Sequence, residues 1–207
     1  MLKCNTSLNE SLLNVENCCQ MIGQWMTLNK LKLNCEKTEF LLVANSNFFS
    51  KLDVAPVVRI GDSIVKSVTY VRNLGGIFDY RMTMTNQVND VVRKGSFVLR
   101  GIRKVNRYTT LDVRKTLVAS TILSRIDFLN SLYTNLSRRD LHRLNVLMNN
   151  AARLITKTGN RSPITPVLKD LHWLRVEYRI RYKCCIFVHK SLYSEIVPNY
   201  ISKLCCK

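Results

Sequence analysis

The spacing of apolar residues changes once along this chain, and that change limits what it can fold into. Up to about residue 80 the apolar positions come as one helical stripe and then as short alternating or continuous runs. From Met84 onward they recur every three or four residues, the period of a helix face. The pattern predicts an α+β chain. A small sheet with a packed helix occupies 1–80, and a mainly α-helical body occupies 81–207.

Charge follows the same division. Residues 1–70 carry seven basic and six acidic side chains, a net of +1, whereas residues 71–207 carry 25 basic and eight acidic, a net of +17. A lobe that basic repels itself unless a polyanion is near, and nucleic acid is the commonest polyanion. The opening MLKCNTSLNE has one lysine and no apolar run behind it. No stretch approaches the roughly 18 apolar residues of a membrane span. The expectation is an intracellular protein of cytoplasm or nucleus, neither secreted nor membrane-bound. Six of the eight cysteines form adjacent pairs, Cys18–Cys19, Cys184–Cys185 and Cys205–Cys206, while Cys4 and Cys35 stand alone. No zinc-ligand spacing is present, so they read as free thiols packed as small apolar residues.

Asn5 to Met26 reads as a helix with a Ser7–Glu10 capping box and a stripe of Leu8, Leu12, Val15, Cys19, Ile22 and Met26. Lys30 to Asn34 alternates, with Leu31 and Leu33 inward. Phe40 to Ala44 is a continuous apolar run, suited to a strand covered on both faces. Asn45 to Asp53 is a polar loop with an exposed Phe48–Phe49 pair. Val57–Ile60 and Ile64–Val68 make a hairpin around Gly61–Asp62. Tyr70 to Phe78 reads as another strand, broken by Gly75–Gly76, where a bulge or a close backbone approach is expected.

The cleanest helix runs from Thr85 to Tyr108. Val88, Val91, Gly95, Val98, Leu99, Ile102 and Val105 fall on one face, and Arg93, Arg100, Arg103, Lys104 and Arg107 on the other. A solvated face is normally mixed in sign. This one has no acid between Arg93 and Arg107, which favours phosphate contact. Thr109 or Thr110 can cap a helix to Tyr133 that breaks near Asp127. Ser137 caps another, with Leu141, Leu144, Met148, Ala151 and Ile155 inward. Thr158 to Pro166 is a turn-rich loop. The helix from Val176 to Tyr193 buries Val176, Ile180, Cys184 and Phe187. It carries Arg175, Arg179, Lys183 and Lys190 on one flank with Tyr178 and Tyr182 beside them, a phosphate-and-base pattern.

No phosphate-binding glycine loop, nucleophile elbow or metal-ligand spacing occurs. His142, His172 and His189 are far apart and read as surface or packing histidines. Asp53 and Asp62 sit in loops without an evident partner. From the residues alone this is a binding body with no complete catalytic set.

Several segments taken together resemble the reverse transcriptases of non-LTR, LINE-type retrotransposons, jockey-like elements in particular. They are NKLKLNCEKTEFLLV at 29–43, VRNLGGIFD at 71–79, SRIDFLNSLYTNL at 124–136, LNVLMNNAARLITKTGNRSPITPVLKDLHWL at 144–174 and RIRYKCCIFVHKSLY at 179–193. The order and spacing of these segments carry the likeness, which covers roughly 8–204. The resemblance implies that 1–80 is the end of the palm and 81–207 a thumb with its extension, gripping an RNA or DNA duplex. It implies that Lys37 is the palm lysine that helps neutralise the leaving pyrophosphate, and that Leu74 and Gly75 belong to the primer grip. Arg175 stands where the family usually has proline, and Asn73 where it usually has an aromatic.

The family's metal-binding aspartates are not among these 207 residues. The resemblance therefore implies no polymerase activity for this chain alone, and no cofactor, although the full-length family uses Mg²⁺. Two alternatives accompany this expectation: a stand-alone nucleic-acid-binding module, and an interaction-prone remnant whose sheet edge pairs with another chain.

Overall fold

The computed structural model describes residues 8–50, 52, 55–193 and 198–205. The chain is mostly helical, with two small antiparallel two-stranded sheets among the described residues, an α+β composition. It divides into two compact units, Met1–Met82 and Thr83–Lys207. The expected Ser7 cap, and Cys4, Asp53 and Cys206, lie outside the described residues.

In the first unit α1 (Leu8–Leu28) lies against β1 (Val57–Ile60). Glu16 Oε1 accepts the backbone N–H of Arg59 at 2.7 Å, which fixes their register. The helix runs two residues past the expected Met26. Lys30, at φ 60°, ends it by letting Leu31 N–H reach Met26 O at 2.8 Å and Lys30 N–H reach Thr27 O at 3.1 Å. Lys30 therefore belongs to a helix end, not to an alternating strand, and Leu31 is exposed. The stripe on α1 is only half-buried and Ile22 is exposed, because the small sheet does not cover the whole helix.

A single 3-10 turn, Cys35–Lys37, follows. The apolar run beyond it is not the expected strand. Phe40 makes one parallel bridge to Ser67, where Val68 N–H donates to Phe40 O at 2.9 Å, and Ala44 N–H reaches Tyr80 O at 3.1 Å. Apolar composition selects an extended run here, but no neighbouring strand extends alongside it to complete a ladder. The expected polar loop contains a short helix, α2 (Ser46–Phe49), capped by Asn45 Oδ1 on Phe48 N–H at 2.8 Å. Phe48 and Phe49 are half-buried, not exposed. Phe49 packs edge-on to Tyr80, with centroids 5.0 Å apart.

The first hairpin is as expected. β1 pairs with β2 (Ser63–Lys66), Val58 opposite Val65 and Ile60 opposite Ser63, across a two-residue turn with Gly61 at φ 57°. Val58 and Ile60 point inward and Val57 and Arg59 outward. The next stretch differs from its expectation. Tyr70 to Phe78 is not one bulged strand but a second hairpin, β3 (Tyr70–Asn73) on β4 (Gly76–Asp79). Leu74 at φ 48° and Gly75 at φ 84° form the reversal, since two successive left-handed residues turn the chain back instead of kinking it.

The second unit begins with α3 (Thr85–Val105), which buries Val88, Val91, Gly95, Leu99 and Ile102. Val105 is exposed, because the helix tightens there into the 3-10 turn Asn106–Tyr108. Thr110 caps α4 (Leu111–Val118) through Val113 N–H. Arg114 is buried and donates to Asn106 O at 3.2 Å and Thr109 O at 3.0 Å, placing its charge on carbonyls that follow the end of α3. A π turn, Ala119–Leu123, carries α4 into α5 (Ser124–Asp127). The helix breaks at Asp127, where a break was expected, because Leu129 turns left-handed at φ 57°. A 3-10 segment, Asn130–Asn135, continues the chain.

Ser137 caps α6 (Arg138–Thr156), whose Leu144, Met148, Ala151 and Ile155 are buried as expected. The turn-rich loop is shorter than its composition suggests. α7 (Ile164–Asp170) starts after Pro163 and holds Pro166 in its first turn, where no intrahelical N–H is needed. The start of α8 (Val176–Tyr193) is capped from α6: Asn145 Oδ1 accepts Val176 N–H at 3.2 Å while its amide donates to Glu177 at 3.0 Å. Val176 and Ile180 are buried, but Phe187 is exposed. α9 (Asn199–Cys205) packs on α8. Tyr133 is fully buried, and burial pushes its phenol up to about 12.

Two glycines of α3 report opposite constraints. A Cβ on Gly95 would stand 2.6 Å from Leu147 Cδ2, whereas one on Gly101 meets nothing within 4 Å. Gly95→Val should lower stability by about 1–3 kcal/mol through overpacking. Gly101→Ala should raise it by about 0.5–1 kcal/mol through helix propensity. Denaturant midpoints of the two variants check this, and equal signs would contradict the seat of α3 on α6.

Candidate nucleic-acid interface

α3 amphipathicity builds a basic surface on the second unit. With Val88, Val91, Gly95, Leu99 and Ile102 turned inward, Arg93, Arg100, Arg103 and Lys104 are left exposed, and the 3-10 turn adds Arg107. Arg93 pairs with Asp90 at 3.0 Å, and Lys94 pairs with the same carboxylate. Arg100, Arg103, Lys104 and Arg107 make no ion pair among the described residues. The Arg107 guanidinium lies 4.7 Å from the Tyr108 ring centroid.

Two aromatics on this surface were not among the expected site residues. Phe97 is 72% exposed and Tyr108 is 75% exposed. Phe97 follows Arg93 by four and precedes Arg100 and Lys104 by three and seven, so helical spacing puts it inside the basic stripe. That spacing was visible in the sequence. Aromatic rings among cations are what a strand with stacked bases engages.

The cations expected on α8 do different jobs. Arg179 Nε donates to Asp127 Oδ1 at 2.8 Å and its Nη2 contacts Asp127 Oδ2, a two-point pair that ties α8 to the end of α5. Arg175 lies 3.9 Å from Glu177. Lys183 sits 5.9 Å from the Phe187 ring centroid and makes no ion pair among the described residues. Of the expected α8 set, Arg179 is held mainly by the fold, whereas Lys183 remains available.

In the first unit Lys37 closes the 3-10 turn. Its backbone N–H is capped by Asn34 Oδ1 at 3.1 Å, and its side chain is exposed. Leu74 and Gly75 are the tip of the β3–β4 hairpin, and Leu74 is 90% exposed. The segment 40–44 is flanked by two apolar cavities, of about 590 Å³ against α1 and about 370 Å³ against Pro56, Val68 and Tyr80, with Leu42 lining both. His142, His172 and His189 are all exposed. Among the described residues no three His, Cys, Asp or Glu side chains are grouped to hold a metal ion, and no helix is long and apolar enough to cross a membrane. No family model, curated protein or solved structure matches the chain.

The two kinds of arginine should separate in stability. Arg179→Met removes charged hydrogen bonds between packed elements and should cost about 1–2 kcal/mol. Arg100→Met should stay within about 0.5 kcal/mol. Thermal melts of the two variants decide it, and an equal loss would mean that Arg100 also has a structural role.

Proposed function

We propose that this chain is the end of the palm and the thumb of a non-LTR retrotransposon reverse transcriptase, and that its helical unit grips a template–primer duplex. One observation carries the binding part of this reading. The acids of the second unit that form ion pairs (Asp90, Asp127, Asp140 and Glu177) meet Arg93, Lys94, Arg179, Arg143 and Arg175, and leave Arg100, Arg103, Lys104 and Arg107 uncompensated on one exposed face. Such a face is stabilised by phosphate and by little else in a cell. The family part rests on the order and spacing of the motifs. The exposed Lys37, at a capped turn, and the exposed backbone reversal at Leu74–Gly75 suit the roles that resemblance gives them.

With the family's metal-binding carboxylates outside this sequence, the chain alone is a binding body and not a polymerase. Purified protein should add no deoxynucleotide to any primer–template in Mg²⁺, and measured incorporation would refute this. Duplex binding should be tight and salt-sensitive. With about five phosphates contacted, log K should fall with log salt at a slope of about −4 to −5. Charge reversal at Arg100, Lys104 and Arg107 together should flatten the slope by about 3 and weaken binding to all sequences alike. A slope near zero in the unaltered protein removes the reading.

A second reading draws on the two cavities beside 40–44. An extended apolar segment without a strand ladder is an edge that another chain can pair with. It predicts a stable oligomer in sedimentation that survives nuclease and high salt. A monomer under those conditions excludes it.

A further inference from the structure

Phe97 is 72% exposed on α3. One exposed apolar side chain is ordinary surface, but the neighbours of Phe97 set it apart. At roughly 100° per residue, it stands opposite Gly95, Leu99 and Ile102, the line that α3 buries. The packing of α3 therefore makes no use of the ring. Arg93, Arg100 and Lys104 line one edge of it at helical spacing. Arg100 and Lys104 make no ion pair among the described residues.

The other edge of Phe97 is bare. Gly101, one helical turn on, is exposed, and a Cβ there meets nothing within 4 Å. Helix side chains lean back over the preceding turn, so a larger residue at 101 would cover that flank of the ring. Glycine inside a helix is less stable than alanine, and no close approach in the fold calls for it here. Tyr108 repeats the exposed ring at the end of the stripe. It is 75% exposed, with the Arg107 guanidinium 4.7 Å from its centroid. Helical rise sets Tyr108 about 17 Å beyond Phe97 along the axis, with Arg100, Lys104 and Arg107 between them. That interval is roughly five steps of stacked bases at ~3.4 Å each, and fewer steps of an extended strand.

We propose that the outer face of α3 binds an unpaired stretch of nucleic acid. One base stacks on Phe97 over the open Gly101 flank, a second stacks on Tyr108, and the phosphates between them meet Arg100, Lys104 and Arg107. The uncompensated cations select a polyanion, and the two rings select one whose base faces are accessible, which paired bases inside a duplex are not. The proposal rests on the nucleic-acid reading of this unit and narrows it at this face to an unpaired strand.

The test measures affinity across a salt series for a single-stranded oligonucleotide, for the same strand made abasic, and for a blunt duplex. The base-bearing strand should bind at least tenfold more tightly than the abasic one, within the range that stacked bases supply. Phe97→Leu keeps an apolar side chain and removes the ring. It should weaken binding of the base-bearing strand about tenfold, leave the abasic strand and the duplex unchanged, and leave the salt slope unchanged, because stacking releases no counterions. Phe97→Trp should keep the affinity. Gly101→Leu places a good helix former in open space, so its denaturant midpoint should not fall, yet it should reduce the preference for the base-bearing strand. Equal affinity for the base-bearing and abasic strands, a Phe97→Leu variant that binds like the unaltered protein, or one that loses the duplex as much as the strand would each overturn the proposal and leave the phosphate reading standing. Failure of all three nucleic acids to bind overturns both.

Discussion

The helical unit depends on how two helix starts share one buried carboxylate. Asp140, 4% exposed in the first turn of α6, accepts from Ser137 Oγ at 3.0 Å, from Thr85 Oγ1 at 3.0 Å and from Arg143 Nη1 at 3.2 Å. Ser137 caps α6 and Thr85 opens α3, so one negative charge sits at the positive ends of both helices and joins them. From that fixed end α3 and α6 run together. Gly95 lets Leu147 approach so closely that any side chain at 95 would displace it. The outward face of α3, and with it the basic stripe, is set by that seat.

Acid scarcity links this packing to function. The full chain has 14 acids against 32 bases. In the second unit several of those acids tie helices: Asp140 at the α3–α6 start, Asp127 on Arg179, and Glu177 at the start of α8. Arg114 is satisfied by backbone carbonyls instead. On α3 the acid Asp90 lies in the first two turns and pairs with Arg93 and Lys94, while Arg100, Arg103 and Lys104 further along are exposed without an ion pair among the described residues. The ties between helices and the uncompensated positive charge of α3 therefore come from one distribution of a few carboxylates.

Much of this was legible in the sequence, and the misses have physical causes. The inner faces of α3 and α6, the Thr110 and Ser137 caps and the Gly61–Asp62 hairpin follow from periodicity and side-chain chemistry that act within a few residues. So does the exposed line from Arg100 to Arg107. Pairings between distant residues did not follow. Nothing local shows that Arg179 meets Asp127, that Asn145 caps α8, or that Thr85 reaches Asp140. Left-handed residues that are not glycine were also hidden, because Lys30, Leu74, Leu129 and His172 adopt φ values that their side chains do not favour. They account for the longer α1, the second hairpin and the end of α7, and they give the cause of the break at Asp127.

The first unit shows what a local rule cannot supply. Phe40–Ala44 has the composition of a strand covered on both faces, and in the structure both faces border cavities instead. Composition states what a segment requires, whereas a strand exists only where a neighbour provides hydrogen bonds along its length. Here one bridge at Phe40 and one bond at Ala44 meet that need at the ends, and the three residues between keep the apolar character of a core position without its cover. A segment in that condition is stabilised by any strand or apolar face that reaches it. The basic helical unit has its own closed core and does not share that requirement. The two units thus differ in what they leave open: a half-covered apolar segment in the first, and exposed cations without an ion pair in the second.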